Sequence, residues 1–238
     1  MAGSGTAHLR DSDDMVIRVE NLTVEFPAKG GNVVHAVSGI SFDVRRGETL
    51  GLVGESGCGK STTGKALLQL PSPTGGSVQL DGEELTQLSR SEMTARRTDI
   101  QMIFQDPISS LNPRRTIGKI VAEPLDVWGP KASDEQWELV ASILDAVGID
   151  PESAKYKRPH EYSGGQCQRI SIARALVIEP KVIICDEPVS ALDVSVQAQI
   201  LNMLEDLKAK YGLTLVFIAH DLAVVKNISD RVAVMYLG

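Results

Sequence analysis

Residues 54–61 read Gly54-Glu55-Ser56-Gly57-Cys58-Gly59-Lys60-Ser61, and this stretch decides the fold. It fits the phosphate-loop pattern G-x-x-x-x-G-K-[ST], with Gly54, Gly59, Lys60 and Ser61 at the fixed positions. Residues 48–55 read as a short buried strand running into the loop, and residues 62–70 as a helix leaving it. A loop between strand and helix aims backbone N–H groups, and the positive end of the helix, at an anion. Lys60 then reaches the outer phosphates of a nucleotide, and the Ser61 hydroxyl ligates magnesium.

Moving outward, residues 182–188 read Val-Ile-Ile-Cys-Asp186-Glu187-Pro188. An apolar strand ending in acid places Asp186 where magnesium needs an oxygen ligand. Adjacent strand residues point opposite ways, so Glu187 faces a different target, and a carboxylate beside a γ-phosphate can polarise an attacking water. Taken alone, the two acids also read as a surface pair at a strand end. Tyr162-Ser163-Gly164-Gly165-Gln166 reads as a capped helix start whose glycines admit a ligand closely, or as an ordinary capped turn. Gln105 and His220 each follow a strand, at the carboxyl edge where open α/β sheets bind ligands. In isolation either is as readily structural.

The remaining pattern is consistent with an α/β domain. Residues 16–26 and 33–44 have strand character around a turn at 30–32, and further strands are expected at 77–80, 99–104, 181–185, 214–219 and 231–237. Helical patterns cover 117–125, 134–147, 164–177, 194–211 and 221–228. Strands alternating with helices imply a parallel core, and residues 106–162 read as a mostly helical insertion. Residues 1–14 are rich in Gly, Ser and Asp and read as a disordered tail.

Composition narrows the function classes. The 238 residues are 42% hydrophobic and 23% charged, enough for a sizeable core. Net charge is −7, from 24 Lys and Arg against 31 Asp and Glu, which argues against a general nucleic-acid binder. No apolar run approaches the roughly 18 residues of a membrane helix. The N-terminus lacks the apolar segment of a signal peptide, so a cytosolic protein is expected unless a partner holds it at a membrane. Cys58, Cys167 and Cys185 are far apart and suggest neither disulfide nor zinc. Modification of Cys58, inside the loop, is expected to block nucleotide binding.

The phosphate loop, Gln105, Ser163-Gly-Gly-Gln166, Asp186-Glu187, Ser190-Ala-Leu-Asp193 and His220 occur in an order that resembles the ATP-binding subunit of ABC transporters. The resemblance covers nearly the whole chain from Val16. It implies a P-loop NTPase (RecA-like) α/β core with a mainly parallel sheet, an N-terminal antiparallel β subdomain and an inserted helical subdomain. The expected divisions are a tail at 1–15, core at 16–105, helical subdomain at 106–165 and core again at 166–238. Phe26 would stack on adenine, with His35 a second candidate, and Gly54 to Thr62 would hold the phosphates of ATP. Ser61 and Gln105 would ligate Mg2+, with Asp186 close through water; Glu187 would be the general base and His220 would contact the γ-phosphate. Ser163, Gly164, Gly165 and Gln166 would reach the nucleotide of a second subunit, with Asp193 at that interface. Two chains would thus sandwich two ATP molecules head to tail.

Residues 104–113, 159–169 and 190–197 look like the dipeptide, oligopeptide and nickel importer branch. Cys167-Gln168-Arg169 is similar to one of the two paired ATPases of such importers, which implies a heterodimeric ATPase pair. The further partners implied are two transmembrane permease subunits and, through them, an extracytoplasmic substrate-binding protein, with no nucleic acid. The place would be the cytoplasmic face of the membrane, peripherally bound, with short peptides or nickel chelates as cargo. Two departures stand out. Tyr162 occupies a position where many family members carry leucine. The chain also stops at Gly238, where members usually continue through another strand and a C-terminal extension, so a truncated chain with an exposed strand edge is expected. A soluble ABC ATPase working on nucleic acid and a non-hydrolysing regulatory subunit are the alternative readings.

Overall fold

The computed structural model describes residues 9–10, 14–129 and 133–236. Most of the tail expected at 1–15 lies outside the described residues, although Met15 already opens a strand. β1 (Met15–Pro27) and β2 (Val33–Arg45) form an antiparallel hairpin. β3 (Thr49–Val53) runs into the phosphate loop and α1 (Lys60–Leu67) leaves it. β4 (Gly75–Leu80) and β5 (Glu83–Glu84) complete a four-stranded antiparallel sheet in the order β2-β1-β4-β5. α2 (Arg90–Arg96) leads into β6 (Ile100–Ile103). The helical stretch holds α3 (Pro107–Ser110), α4 (Ile117–Trp128), α5 (Ser133–Ala146), α6 (Pro151–Ala154) and α7 (Gly164–Leu176). The chain then returns through β7 (Val182–Asp186), α8 (Val194–Tyr211), β8 (Thr214–Ala219), α9 (Leu222–Ile228) and β9 (Arg231–Val234).

The second sheet is five-stranded and parallel, in the order β6-β7-β8-β3-β9. Its inner strands are buried on both faces, which is why β7 and β8 read as continuous apolar runs rather than as alternating ones. The two-residue period still sorts their side chains. Ile183, Cys185, Leu215 and Phe217 join a core shared with α4, α5, α7 and α8. Val182, Ile184, Val216 and Ile218 face the opposite way, into a core shared with β1, β2 and α1. Burying each such Ile, Val or Phe contributes about 1.5–3 kcal/mol, so both layers are held by the sheet between them.

α1 ends three residues before the expected limit of 70, because Gln69 takes a positive φ of 56° and Pro71 cannot continue a helix. β9 is likewise shorter than the expected 231–237; it is an edge strand pairing only with β3 among the described residues, and Val234 is 75% exposed. α2 has no counterpart among the sequence expectations. Its start is nevertheless written in the chain, since Ser89 and Glu92 cap each other's backbone N–H groups.

Candidate nucleotide site

The parallel strands are in register, so their carboxyl ends finish together. Val53 pairs with Ala219, Ile103 with Cys185, and Asp186 with Ile218. Gly54, Gln105, Glu187 and His220 each lie one or two residues beyond those ends. They therefore converge on one edge of the sheet, although 82 residues separate Gln105 from Glu187.

The phosphate loop is tightly built. Gly59 sits at φ +100°, and a Cβ there would lie 2.1 Å from the carbonyl oxygen of Ala36 on β2, so only glycine fits. Lys60 is buried and lies back over the loop, its Nζ donating to the Gly54 and Glu55 carbonyls at 2.8 Å each. The Cys58 sulfur lies 3.9 Å from the same Nζ. The Ser61 hydroxyl donates to Asp186 Oδ1 at 2.6 Å, so the two oxygens expected at a metal already adjoin. Burial pushes the Asp186 carboxyl above its ordinary value, against the Ser61 hydrogen bond and the nearby Lys65 and Lys60.

Glu187 is held differently. Its backbone sits at φ 47°, a conformation costing a non-glycine residue about 1–3 kcal/mol, and its N–H is tied to the Ile218 carbonyl at 2.9 Å. The turn aims its carboxylate away from that of Asp186. Gln105 Nε2 donates to Glu187 Oε2 at 3.0 Å, and His220 Nδ1 lies 3.3 Å from the same oxygen. Among the described residues no hydrogen bond reaches Oε1 of Glu187, which stays open to a water, or the amide oxygen of Gln105, which stays open to a cation.

Ser163 and Gln166 stand exposed at the start of α7 and cap each other. Gln166 N–H donates to Ser163 Oγ at 3.3 Å, and Ser163 N–H donates to Gln166 Oε1 at 2.9 Å. Gly165 lets α7 meet α8, since a Cβ there would lie 2.6 Å from Val196 Cγ1. Asp193 precedes α8 with its carboxylate making no capping bond. No hydrogen bond joins this turn to the phosphate loop of the same chain among the described residues. Phe26 is 38% exposed at the end of β1, and His35 is engaged by Glu25 at 2.7 Å.

A cleft of about 580 Å³ at the sheet edge is lined by Ser61, Gln105 and Asp186, and also by Lys65, Asp106 and Arg174, which the motif reading passed over. Arg174 carried a usable signal: it is the single charged residue within 170–176 of a helix whose neighbouring side chains are buried. Oxygen donors from a hydroxyl, an amide and a carboxylate suit a hard cation such as magnesium. Among the described residues no group of three or more His, Cys, Asp or Glu forms a metal cage, and a cation held largely by phosphates and water needs none.

With Asp186 two strands away from the phosphate-loop strand, across β8, and with Glu187 held by Gln105 and His220, the phosphate loop and the Ser-Gly-Gly-Gln helix start together define an ATP-binding cassette. The chain belongs to the ABC transporter family, whose model matches residues 37–190. It is 54% identical over 233 residues to the oligopeptide transport ATP-binding protein OppF of Escherichia coli K12, covering 94% of this chain and 70% of that protein. It is also 54% identical over 229 residues to the glutathione import ATP-binding protein GsiA of E. coli K12, covering 94% of this chain and 37% of that one. Among solved structures it is similar to the dimeric cassette MJ0796 bound to ADP and Pi, with a TM-score of 0.83 at 29% identity over 93% of this chain and 95% of that one. The cbiO1 protein of Clostridium perfringens gives a TM-score of 0.82 at 32% identity, over 94% of this chain and 86% of that one. The chain is accordingly an ABC-type ATPase that binds and hydrolyses ATP to drive transport. Among the described residues no helix is long and apolar enough to cross a membrane. ATPase subunits of this class associate peripherally with membranes and work with permease subunits.

Proposed function

We propose that this chain powers an importer of short peptides from the cytoplasmic face of the membrane, paired with a second, non-identical ATPase and two permease subunits. An extracytoplasmic binding protein delivers the cargo to those permeases. The identity with OppF and GsiA over 94% of the chain supports the peptide reading.

The hydrolytic site rests on one observation: Gln105 and His220 converge on the same oxygen of Glu187, leaving the other free. Glu187 takes a proton from the attacking water through Oε1, while its two partners fix the carboxylate's orientation. Lys60, now on the loop carbonyls, turns to the β- and γ-phosphates when nucleotide arrives, and Phe26 stacks on the adenine. Ser61, Gln105 and Asp186 are the residues that would hold Mg2+, which neutralises charge on the phosphates when bound. Ser163 to Gln166, whose Ser163 and Gln166 stand exposed and which make no hydrogen bond to their own chain's loop among the described residues, serve the γ-phosphate of the partner ATPase, with Asp193 beside them.

The test is recovery of the natively expressed protein from detergent-solubilised membranes, followed by reconstitution of what comes with it. The expected result is two polytopic subunits and a second ATPase, with ATP hydrolysis stimulated by a peptide-loaded binding protein. Recovery with ribosomes, or hydrolysis indifferent to peptide, overturns the importer reading.

A further inference from the structure

α7 spans about 20 Å at 1.5 Å per residue, from the exposed Ser163 turn to Leu176. Arg174 sits near its far end, where burial pushes the guanidinium below its ordinary pKa despite the pull of Glu123. It remains charged, as arginine does in proteins, and no carboxylate lies within ion-pair distance of it among the described residues. Desolvating a cation without a counter-ion is unfavourable, and a leucine or methionine would fill the same space at no such cost.

Its partner explains the placement. Arg174 Nη1 donates to the Ser110 carbonyl at 2.7 Å, and one turn earlier Ser171 Oγ lies 3.4 Å from Ser110 Oγ. Ser110 is the last residue of α3. The first turn of α3 is held from the other side by Asp106, whose Oδ1 accepts from the Ile108 and Ser109 N–H groups at 2.9 and 3.2 Å. This one-turn helix is thus clamped at both ends. Gln105 immediately precedes the capping Asp106 and reaches Glu187. Arg174 and Gln105 also line the same cleft.

We propose that Arg174 is a positioning residue for ATP hydrolysis: by holding Ser110 it fixes α3, and through α3 it fixes Gln105 against Glu187. α7 then carries the Ser163 turn at one end and the anchor of the Gln105 arm at the other. The inference rests on Glu187 as the base. The bonds that shape the phosphate loop do not involve Arg174, so its loss leaves nucleotide affinity in place and slows the chemical step.

The test is a double-mutant cycle in the full chain with Arg174→Ala, Gln105→Ala and both, read as ATP hydrolysis, ATP affinity and hydrogen exchange of the amides of 108–111. Arg174→Ala is expected to lower kcat about tenfold with KM within about twofold, and to add less than about twofold on top of Gln105→Ala, since residues acting through one contact are not additive. Amides 108–111 exchange faster in Arg174→Ala, and Arg174→Lys, which keeps a donor, restores most of the protection and rate. Equal losses in both backgrounds, or unchanged kcat with unchanged exchange, overturn the proposal. Should Arg174→Ala fail to fold, Arg174→Gln enters the same cycle and must show the same non-additivity. A wild-type chain without Glu187-dependent turnover refutes the base, while the exchange data still decide whether Arg174 holds α3.

Discussion

Asp186 and Glu187 are neighbours in sequence with opposite surroundings. Asp186 is 3% exposed, receives the Ser61 hydroxyl and is raised by burial, whereas Glu187 turns out of the strand toward Gln105 and His220. An acid whose folded pKa lies above its unfolded one weakens the fold once pH rises through the unfolded value and ionisation is forced. Asp186→Asn should therefore melt higher than wild type at neutral pH without nucleotide, while losing hydrolysis. The gap should close as pH falls through the raised pKa, where the wild-type carboxyl takes up its proton. Calorimetry across pH 4–8 checks this (about four pH units centred above the usual carboxylate range); a variant less stable than wild type at pH 7 would contradict it. The order Asp-Glu was readable in the sequence. The positive φ at Glu187, and the convergence of two partners on one of its oxygens, were not, because both depend on the register of strands far apart in the chain.

Among the elements, legibility followed burial. β7, β8 and α8 were plain because an apolar run or a long amphipathic helix leaves one physical solution. α2 and the two-residue β5 were not, since they bury little: Met93 is the buried residue of α2. α3 escaped for a related reason. Four residues carry no periodicity, and its stability comes from Asp106 and Arg174, contacts that span the fold. Cys185 shows how an element protects its contents. Burial, with Asp186 beside it, pushes its thiol up to about 12, so it stays protonated and inert within β7.

At the scale of the whole molecule, the two sheets are joined away from the nucleotide edge by an ion-pair cluster. Asp43 on β2 is fully buried and accepts from Arg10 Nε at 2.7 Å and from Arg231 Nη1, on β9, at 3.1 Å. Glu48 lies 2.6 Å from Arg10 and 3.4 Å from Arg231. Burial alone would raise the Asp43 pKa, but the hydrogen bonds from Arg10 and Arg231 outweigh it and hold the carboxyl below its usual range. Such a group stabilises the fold above its unfolded pKa, and the contribution is lost as pH falls through the depressed folded value. Asp43→Asn should lower stability by about 2 kcal/mol at pH 7, because Arg10 and Arg231 lose the hydrogen bonds of one carboxylate and keep Glu48 alone. Urea unfolding should show that gap narrowing only below about pH 4. A gap below about 0.5 kcal/mol at pH 7 would mean that the cluster is no better than a surface ion pair.

The central claim is that this cassette hydrolyses ATP through Glu187, held by Gln105 and His220 at the edge of the parallel sheet. The most direct measurement compares ATP binding and ATP turnover in wild type and Glu187→Gln. Removing a general base should lower turnover at least about a hundredfold, with ATP affinity within about twofold of wild type. Turnover by Glu187→Gln at the wild-type rate would contradict the account, whatever the strength of the family likeness.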